Sequence, residues 1–299
     1  MPKEVRPADP NWLMVDGSSL IFRAFYGVPR TVMAPSGMPV NGIRGFLDYL
    51  SRFIVDRHPR NLLVATDEDW RPQFRVDAIP SYKSHRTAEP IPPDLEVQME
   101  PIMRVLDAFG IPAVGAAGYE AEDVIASIAK KVGGSIEILS GDRDLFCLVR
   151  DPDVKVLYPQ TGGRLTIVDE AYITERYGIP GRAYGDYAIL RGDPSDGLPG
   201  LPGVGEKTAA AMIKRHGSIE GVLWDGNISK AAAEYIRKAM EVVRPVESIA
   251  LEVPDAAVPA APRDPKRLAE LKQEFGLGGA VERLERALAT RARGTAAGG

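Results

Sequence analysis

Asn11–Ser19 reads NWLMVDGSS, a short, mostly apolar run that ends in an aspartate at 16 and then in glycine and serine. An apolar run of this length bounded by turn residues is a buried strand, which puts Asp16 at the strand's C-terminal end. The pattern recurs twice. Leu62–Thr66 (LLVAT) ends at Asp67, and Ser135–Ser140 (SIEILS) leads into Gly141-Asp142-Arg143-Asp144. Helical spacing fills the intervals at Asn41–His58, stopped by Pro59, at Leu95–Phe109 and at Asp123–Lys131. Strands alternating with helices predict an α/β fold with a central, mainly parallel sheet, whose ligands sit beyond the carboxyl ends of the strands. One aspartate there would be a turn or cap residue. Three define an acidic edge.

The chain has 299 residues, enough for one large domain or two smaller ones. No apolar run approaches the roughly 20 residues that cross a bilayer, and the leader MPKEVRPADP lacks the apolar region of a signal peptide, so a cytoplasmic protein without membrane contact is expected. The single cysteine, Cys147, excludes an internal disulfide and a cysteine-rich zinc site, and its run LFCLV reads as core. His58, His85 and His216 are scattered, which leaves triad chemistry little to work with. A net charge of -4 taken alone argues against a nucleic-acid partner. Carboxylates gathered in one place would, however, leave basic surface elsewhere to follow a phosphate backbone.

Arg191–Ala209 reads RGDPSDGLPGLPGVGEKTA and sets two jobs side by side. Asp193 and Asp196 come first. A Gly/Pro hairpin follows, through Gly203 and Gly205, and Lys207 and Thr208 then open a helix. Glycines let the backbone approach a ligand and free helix-start amides favour an anion, so the hairpin suits a phosphate; a plain loop between two helices would read the same way. Gly115–Val124 (GAAGYEAEDV) places Glu120, Glu122 and Asp123 at a helix start, where acids complement the helix dipole. Glu120 and Asp123 share a face and Glu122 points aside.

Nine acids are thus within reach of one another: Asp16, Asp67, Glu120, Glu122, Asp123, Asp142, Asp144, Asp193 and Asp196. Two like charges about 4 Å apart repel by roughly 4 kcal/mol at an effective dielectric of 20, so such a cluster needs cations. All-oxygen ligands suit Mg²⁺ or Mn²⁺, with water between the ion and many of the acids.

Trp70–Arg86 (WRPQFRVDAIPSYKSHR) interleaves Arg71, Arg75, Lys83, His85 and Arg86 with Trp70, Phe74 and Tyr82. Cations beside aromatic faces suit single-stranded nucleic acid, and a solvated basic loop has the same composition. Glu89–Pro93 ends it as a lid-like excursion. Further on, Ala231–Val242 reads as a helix, Ile249–Val253 as a returning strand, Pro254–Pro262 as a linker, Pro265–Arg291 as two amphipathic helices, and Arg293–Gly299 as a disordered tail.

With VDG at Asp16, TD at Asp67, YKSHR at 82–86, GYEAED at 118–123, GDRDLF at 141–146 and the 191–209 stretch in this order, the chain closely resembles the flap endonuclease / 5′-3′ exonuclease family from about Asn11 to about Val253. The family's stand-alone members are homologues of the N-terminal nuclease domain of bacterial family-A DNA polymerases, and with no polymerase domain following, a stand-alone enzyme is expected. The resemblance implies a PIN-like, resolvase-like nuclease domain over 1–185 with a helical arch near 70–95, a helix-three-turn-helix DNA-binding region over 186–253, and C-terminal helices with a tail over 254–299.

It also implies that the nine acids hold two or more divalent ions in a tight and a looser site. Asp16, Asp67 and Asp142 would be catalytic, with Lys83 and Arg86 reaching the scissile phosphate from the arch and Tyr82 stacking on a base. Gly203, Gly205, Lys207 and Thr208 would grip duplex DNA, with K⁺ on hairpin carbonyls. The implied reaction is two-metal phosphodiester hydrolysis on DNA with 5′ ends, flaps or nicks, by a monomer functionally linked to DNA polymerase and ligase. Glu122 stands where the family more often has aspartate, and Gly197 replaces a common asparagine. No QxxLxxFF-type clamp-binding segment is found. A PIN-type ribonuclease and a non-catalytic DNA-binding module are the alternatives.

Overall fold

The computed structural model describes residues 10–88 and 91–296. The leader before Pro10, Glu89 and Pro90 of the expected lid, and residues 297–299 of the expected tail lie outside them. Six strands form one sheet: β1 (Trp12–Asp16), β2 (Asn61–Ala65), β3 (Ala113–Val114), β4 (Ile136–Leu139), β5 (Val154–Pro159) and β6 (Leu165–Val168). Their order is β3-β2-β1-β4-β5-β6, and every pairing is parallel except β5 with β6. All five residues of β1 are buried, as a strand covered on both faces requires.

The helices of the first half are α1 (Gly17–Gly27), α2 (Asn41–Arg57), α3 (Gln73–Ala78), α4 (His85–Ala88), α5 (Pro93–Phe109) and α6 (Ala121–Lys131). Those of the second half are α7 (Glu170–Tyr177), α8 (Tyr184–Arg191), α9 (Glu206–His216), α10 (Ile219–Asp225), α11 (Lys230–Val243), α12 (Pro265–Glu274) and α13 (Gly278–Ala296). One face of the sheet packs its Leu13, Val15, Leu62 and Val64 against α1, α2, α5, α12 and α13. The other packs Met14, Leu63 and Ile138 into one apolar cluster with α6 and with residues of α7 to α11. Among the described residues no helix is long and apolar enough to cross a membrane.

Buried polar groups fix how the first layer meets the sheet. Val40 gives α2 no side-chain cap, and the Gln98 carbonyl oxygen from α5 accepts from the Gly42 and Ile43 amides instead, at 2.8 and 3.2 Å. Asn41 donates to the Phe25 and Val28 carbonyls, at 2.6 and 3.2 Å, and so pins the end of α1 to the start of α2.

Four sequence expectations change. Ile249–Val253 is not a strand: side chains satisfy its backbone, Lys131 donating to the carbonyls of Ile249 and Leu251 and the Ser127 hydroxyl accepting from the Ile249 amide. The Pro/Ala stretch after it is held at the sheet's edge, with Ala256 and Val258 buried and Ala257 bridging Asn61. The backbone of α13 continues through Arg293 to Ala296, where a disordered tail is expected. Cys147, expected in the core, is half-buried.

Candidate active site

Parallel register sets Asp16 beside Ala65 and Val15 beside Leu139, so the chain leaves β1, β2 and β4 along one edge. Asp16, Asp67 and Asp142 therefore meet there. Gly17 is needed at this exit, because a β-carbon on it would lie 2.7 Å from the Ala65 carbonyl oxygen. Asp16 caps α1, accepting from the Ser19 amide at 3.0 Å, and its second oxygen accepts from the Ser140 hydroxyl at 2.6 Å. Ser140 Oγ in turn accepts from the Asp142 amide at 2.9 Å, and Asp142 accepts from the Asp144 amide at 3.0 Å. Asp67 accepts from the Ala121 amide at 2.7 Å, tying the end of β2 to the start of α6. Asp193 accepts from the Ser195 amide and from Arg191, at 3.0 and 3.1 Å.

These groups face a cavity of about 940 Å³. Asp16, Asp67, Glu120, Glu122, Asp142, Asp144, Asp193 and Asp196 line it, with Lys83 and Arg86. They surround the space without closing on it: among the described residues no three carboxylates stand close enough to enclose an ion directly. Their electrostatics call for positive charge. Burial, reinforced by Asp67, pushes Asp16 up to about 7. Burial also raises Asp67, with Glu120 adding to it, and holds Asp144 well above the usual carboxylate range, with Asp142 and Asp196 adding to it. An all-oxygen donor set around a cavity with room for water fits hydrated Mg²⁺ or Mn²⁺.

Asp123 is not brought to this cavity. It is fully buried and its oxygens are taken by Arg75 at 2.6 Å, the Val246 amide at 2.7 Å and the Glu120 amide at 3.2 Å. The i,i+3 spacing that puts it on Glu120's face makes it a capping partner of Glu120. Arg75, which the sequence does not separate from the other basic residues of its stretch, is 0 % exposed. It forks across Glu120, Glu122 at 2.9 Å and Asp123 at 2.6 Å. Burial alone would pull its pKa down, but Glu122, Asp123 and Glu120 outweigh burial and keep it charged.

Tyr82 also differs from expectation. It is 1 % exposed and its hydroxyl donates to Glu120 at 2.6 Å, so its ring faces the core and has no face open to a base. Lys83 is 2 % exposed, with its ammonium 2.7 Å from Glu120 and 3.9 Å from Asp196. Burial works to neutralise Lys83, yet Tyr82, Glu120 and Asp196 around it raise its pKa well above the ordinary value. Burial likewise works to protonate Glu120, and Lys83 and Arg75 bring it below the ordinary range. Arg86, on α4, donates to the Trp70 carbonyl at 3.0 Å and lies 3.6 Å from Glu120.

Two aromatic residues of α1 that line the cavity, Phe22 and Tyr26, are not singled out by the sequence. Tyr26, at the end of α1, is 64 % exposed at the cavity, and Phe22 meets Trp70 edge to face at 5.3 Å. Their helical spacing, i and i+4, was the available signal. The hairpin runs outward from the same cavity: Gly203 has φ +75°, Gly205 precedes α9 without a side-chain cap, and Lys207 and Thr208 are exposed in its first turn. Of the expected lid, Pro92 lines the cavity.

Two family profiles divide the chain between them. That described as "5′-3′ exonuclease, N-terminal resolvase-like domain" matches residues 11–178, and that described as "5′-3′ exonuclease, C-terminal SAM fold" matches residues 179–285. The chain belongs to the 5′-3′ exonuclease family. A 5′-3′ exonuclease of Streptomyces coelicolor is 45% identical over 295 residues, covering 91% of this chain and 98% of that protein. DNA polymerase I of Mycobacterium bovis is 40% identical over 227 residues, covering 74% of this chain and 25% of that protein. The bacteriophage T5 flap endonuclease, solved in a complex with DNA and metal ions, superposes with a TM-score of 0.63 at 17% identity, covering 95% of this chain and 99% of that one. At that identity the likeness is one of fold: an α/β resolvase-like core followed by a helical region.

Proposed function

We propose that this 5′-3′ exonuclease-family protein is a divalent-metal-dependent, structure-specific 5′-3′ exonuclease and flap endonuclease that hydrolyses DNA phosphodiesters. The single observation that carries the reading is the cavity: eight carboxylates from five separate stretches of chain line it, with Lys83 and Arg86 on the same wall. Mg²⁺ or Mn²⁺ held among these carboxylates would supply the Lewis acidity that phosphodiester hydrolysis needs.

The chain's own residues do the rest. Asp16, Asp67, Asp142, Asp144, Asp193 and Asp196 would hold the ions and their water, with Glu120 and Glu122 shared between that shell and Arg75. Lys83 and Arg86 would stabilise charge on the phosphoryl oxygens once a phosphate displaces their present carboxylate partners. Tyr26 offers the open aromatic face that Tyr82 lacks, and would stack on an unpaired base. The hairpin through Gly203 and Gly205, with Lys207 and Thr208, would hold the duplex by its phosphates, with K⁺ on its carbonyls. Recognition would follow the shape of the DNA rather than its sequence. The domain division at 185/186 and 253/254, cytoplasmic residence, a monomeric state and service to a polymerase and a ligase belong to the same proposal.

Digestion of end-labelled single-flap, gapped and blunt duplexes with Mg²⁺, with Mn²⁺ and with chelator tests it. Cleavage of flapped DNA that chelator abolishes is expected. Preference for matched RNA would instead favour a ribonuclease, and metal-independent binding without cleavage a DNA-binding module.

A further inference from the structure

The turn that carries Lys83 is fastened to the loop that carries Asp193 and Asp196. The Lys83 amide donates to the Asp196 carbonyl at 2.9 Å, and the Ser81 hydroxyl donates to the Gly197 carbonyl at 2.7 Å, across 116 residues of sequence. Gly197 has φ +71°, and a β-carbon on it would lie 1.9 Å from the Ser81 carbonyl oxygen and 2.7 Å from its carbon. These are backbone atoms, which cannot rotate out of the way as a flexible side chain can. Lys83 itself has φ +44°, a left-handed backbone that a residue with a side chain keeps only when its surroundings hold it there. The loop supplies that hold. It is closed on itself, with the Asp193 amide donating to Leu198 O at 3.0 Å and the Leu198 amide returning to Asp193 O at 2.9 Å.

We propose that Gly197 is a positioning residue for Lys83. With no side chain at 197, the acid-bearing loop and the arch turn dock main chain to main chain, and the Lys83 ammonium and the Asp196 carboxylate keep a fixed relation on one wall of the cavity. In this chain a β-carbon at 197 cannot be accommodated unless the loop and the turn shift apart. Its catalytic consequence rests on the nuclease reading; the docking does not, and is read without activity.

The test combines Gly197→Ala, Ser81→Ala and Lys83→Ala in the full chain. Acylation of lysines by an N-hydroxysuccinimide ester, followed by mass spectrometry, reports the docking directly: Lys83 is shielded in the parent and is expected to label about fivefold faster or more in Gly197→Ala. Single-turnover cleavage of flapped DNA is expected to slow about tenfold or more in Gly197→Ala, while binding of the same DNA in chelator stays within about twofold. In a Lys83→Ala background the Gly197→Ala change adds no further loss, which a merely structural defect would not spare. Should Gly197→Ala lose its cooperative melt, Ser81→Ala, which deletes one hydrogen bond and adds no atoms, carries the test with Lys83 labelling raised about threefold. Lys83 labelling equal to the parent in the folded variant, or the same loss of rate with and without Lys83, overturns the proposal. A parent inactive on every DNA substrate overturns the nuclease reading instead, and the labelling still decides the docking.

Discussion

Replacing Arg75 by methionine removes the cation that three buried carboxylates share while keeping much of the side chain's bulk. Glu120 keeps Lys83 and the Tyr82 hydroxyl. Glu122 loses its Arg75 contact at 2.9 Å, and Asp123 keeps only backbone amides. Stranding one partner of a buried ion pair costs about 3–5 kcal/mol, which corresponds at about 2 °C per kcal/mol to a melting temperature roughly 6–10 °C lower. The sign with pH follows from the same charges. Burial already holds Glu122 well above the ordinary carboxylate range, and without Arg75 it binds a proton still more readily in the folded state than in the unfolded chain, so the deficit is largest at high pH and shrinks as pH falls. Urea denaturation of parent and Arg75→Met at pH 7.5 and pH 5.5, in chelator, measures it. Arg75→Lys should fall between the two, since an ammonium keeps the charge but cannot fork. A deficit under about 1 kcal/mol at pH 7.5, or one that does not change with pH, would refute the clamp.

Asp16 gives a second pH test. Its folded pKa of about 7 exceeds the unfolded value near 3.9, so in chelator its protonated form stabilises the fold below pH 4 and that contribution, on the order of 4 kcal/mol, is lost as pH rises through about 7; the stability difference between parent and Asp16→Asn should fall over this range in urea melts. Tyr82→Phe should cost about 1.5–3 kcal/mol for its bond to Glu120 in the same melts, and flap binding should hold, because the ring has no open face. Tyr26→Ala should weaken binding of a single-stranded flap by about 1–3 kcal/mol in a fluorescence-anisotropy titration and leave a blunt duplex unaffected.

The acidic edge was legible because it depends on local pattern. A short apolar run and the residue that ends it fix both a strand and the end at which an aspartate stands, and parallel pairing does the rest. The two faces of Trp70–Arg86 were not legible. Arg71, Arg75, Lys83 and Arg86 look alike as cations in a basic stretch, yet Arg75 points into the core and Arg86 onto the cavity rim, a distinction that arises only when α3 docks beside α6. Tyr82 turned inward for the same reason, and the aromatic face left open at the cavity is that of Tyr26 at the end of α1. Ile249–Val253 has the apolar content of a strand, but side chains of α6 reach its backbone first. Asp123 shows how one spacing serves two ends: i,i+3 from Glu120 predicts a shared face, and the face turned out to be a helix cap.

Divalent-ion binding tests the central claim most directly: that carboxylates far apart in sequence converge to hold cations. Calorimetric titration of the chelator-stripped protein with Mn²⁺ at pH 7.5 should give saturable binding of about two ions per chain, and Asp142→Asn should lose at least one of them while melting as the parent does. No saturable binding in the parent, or an unchanged isotherm in Asp142→Asn, would contradict it.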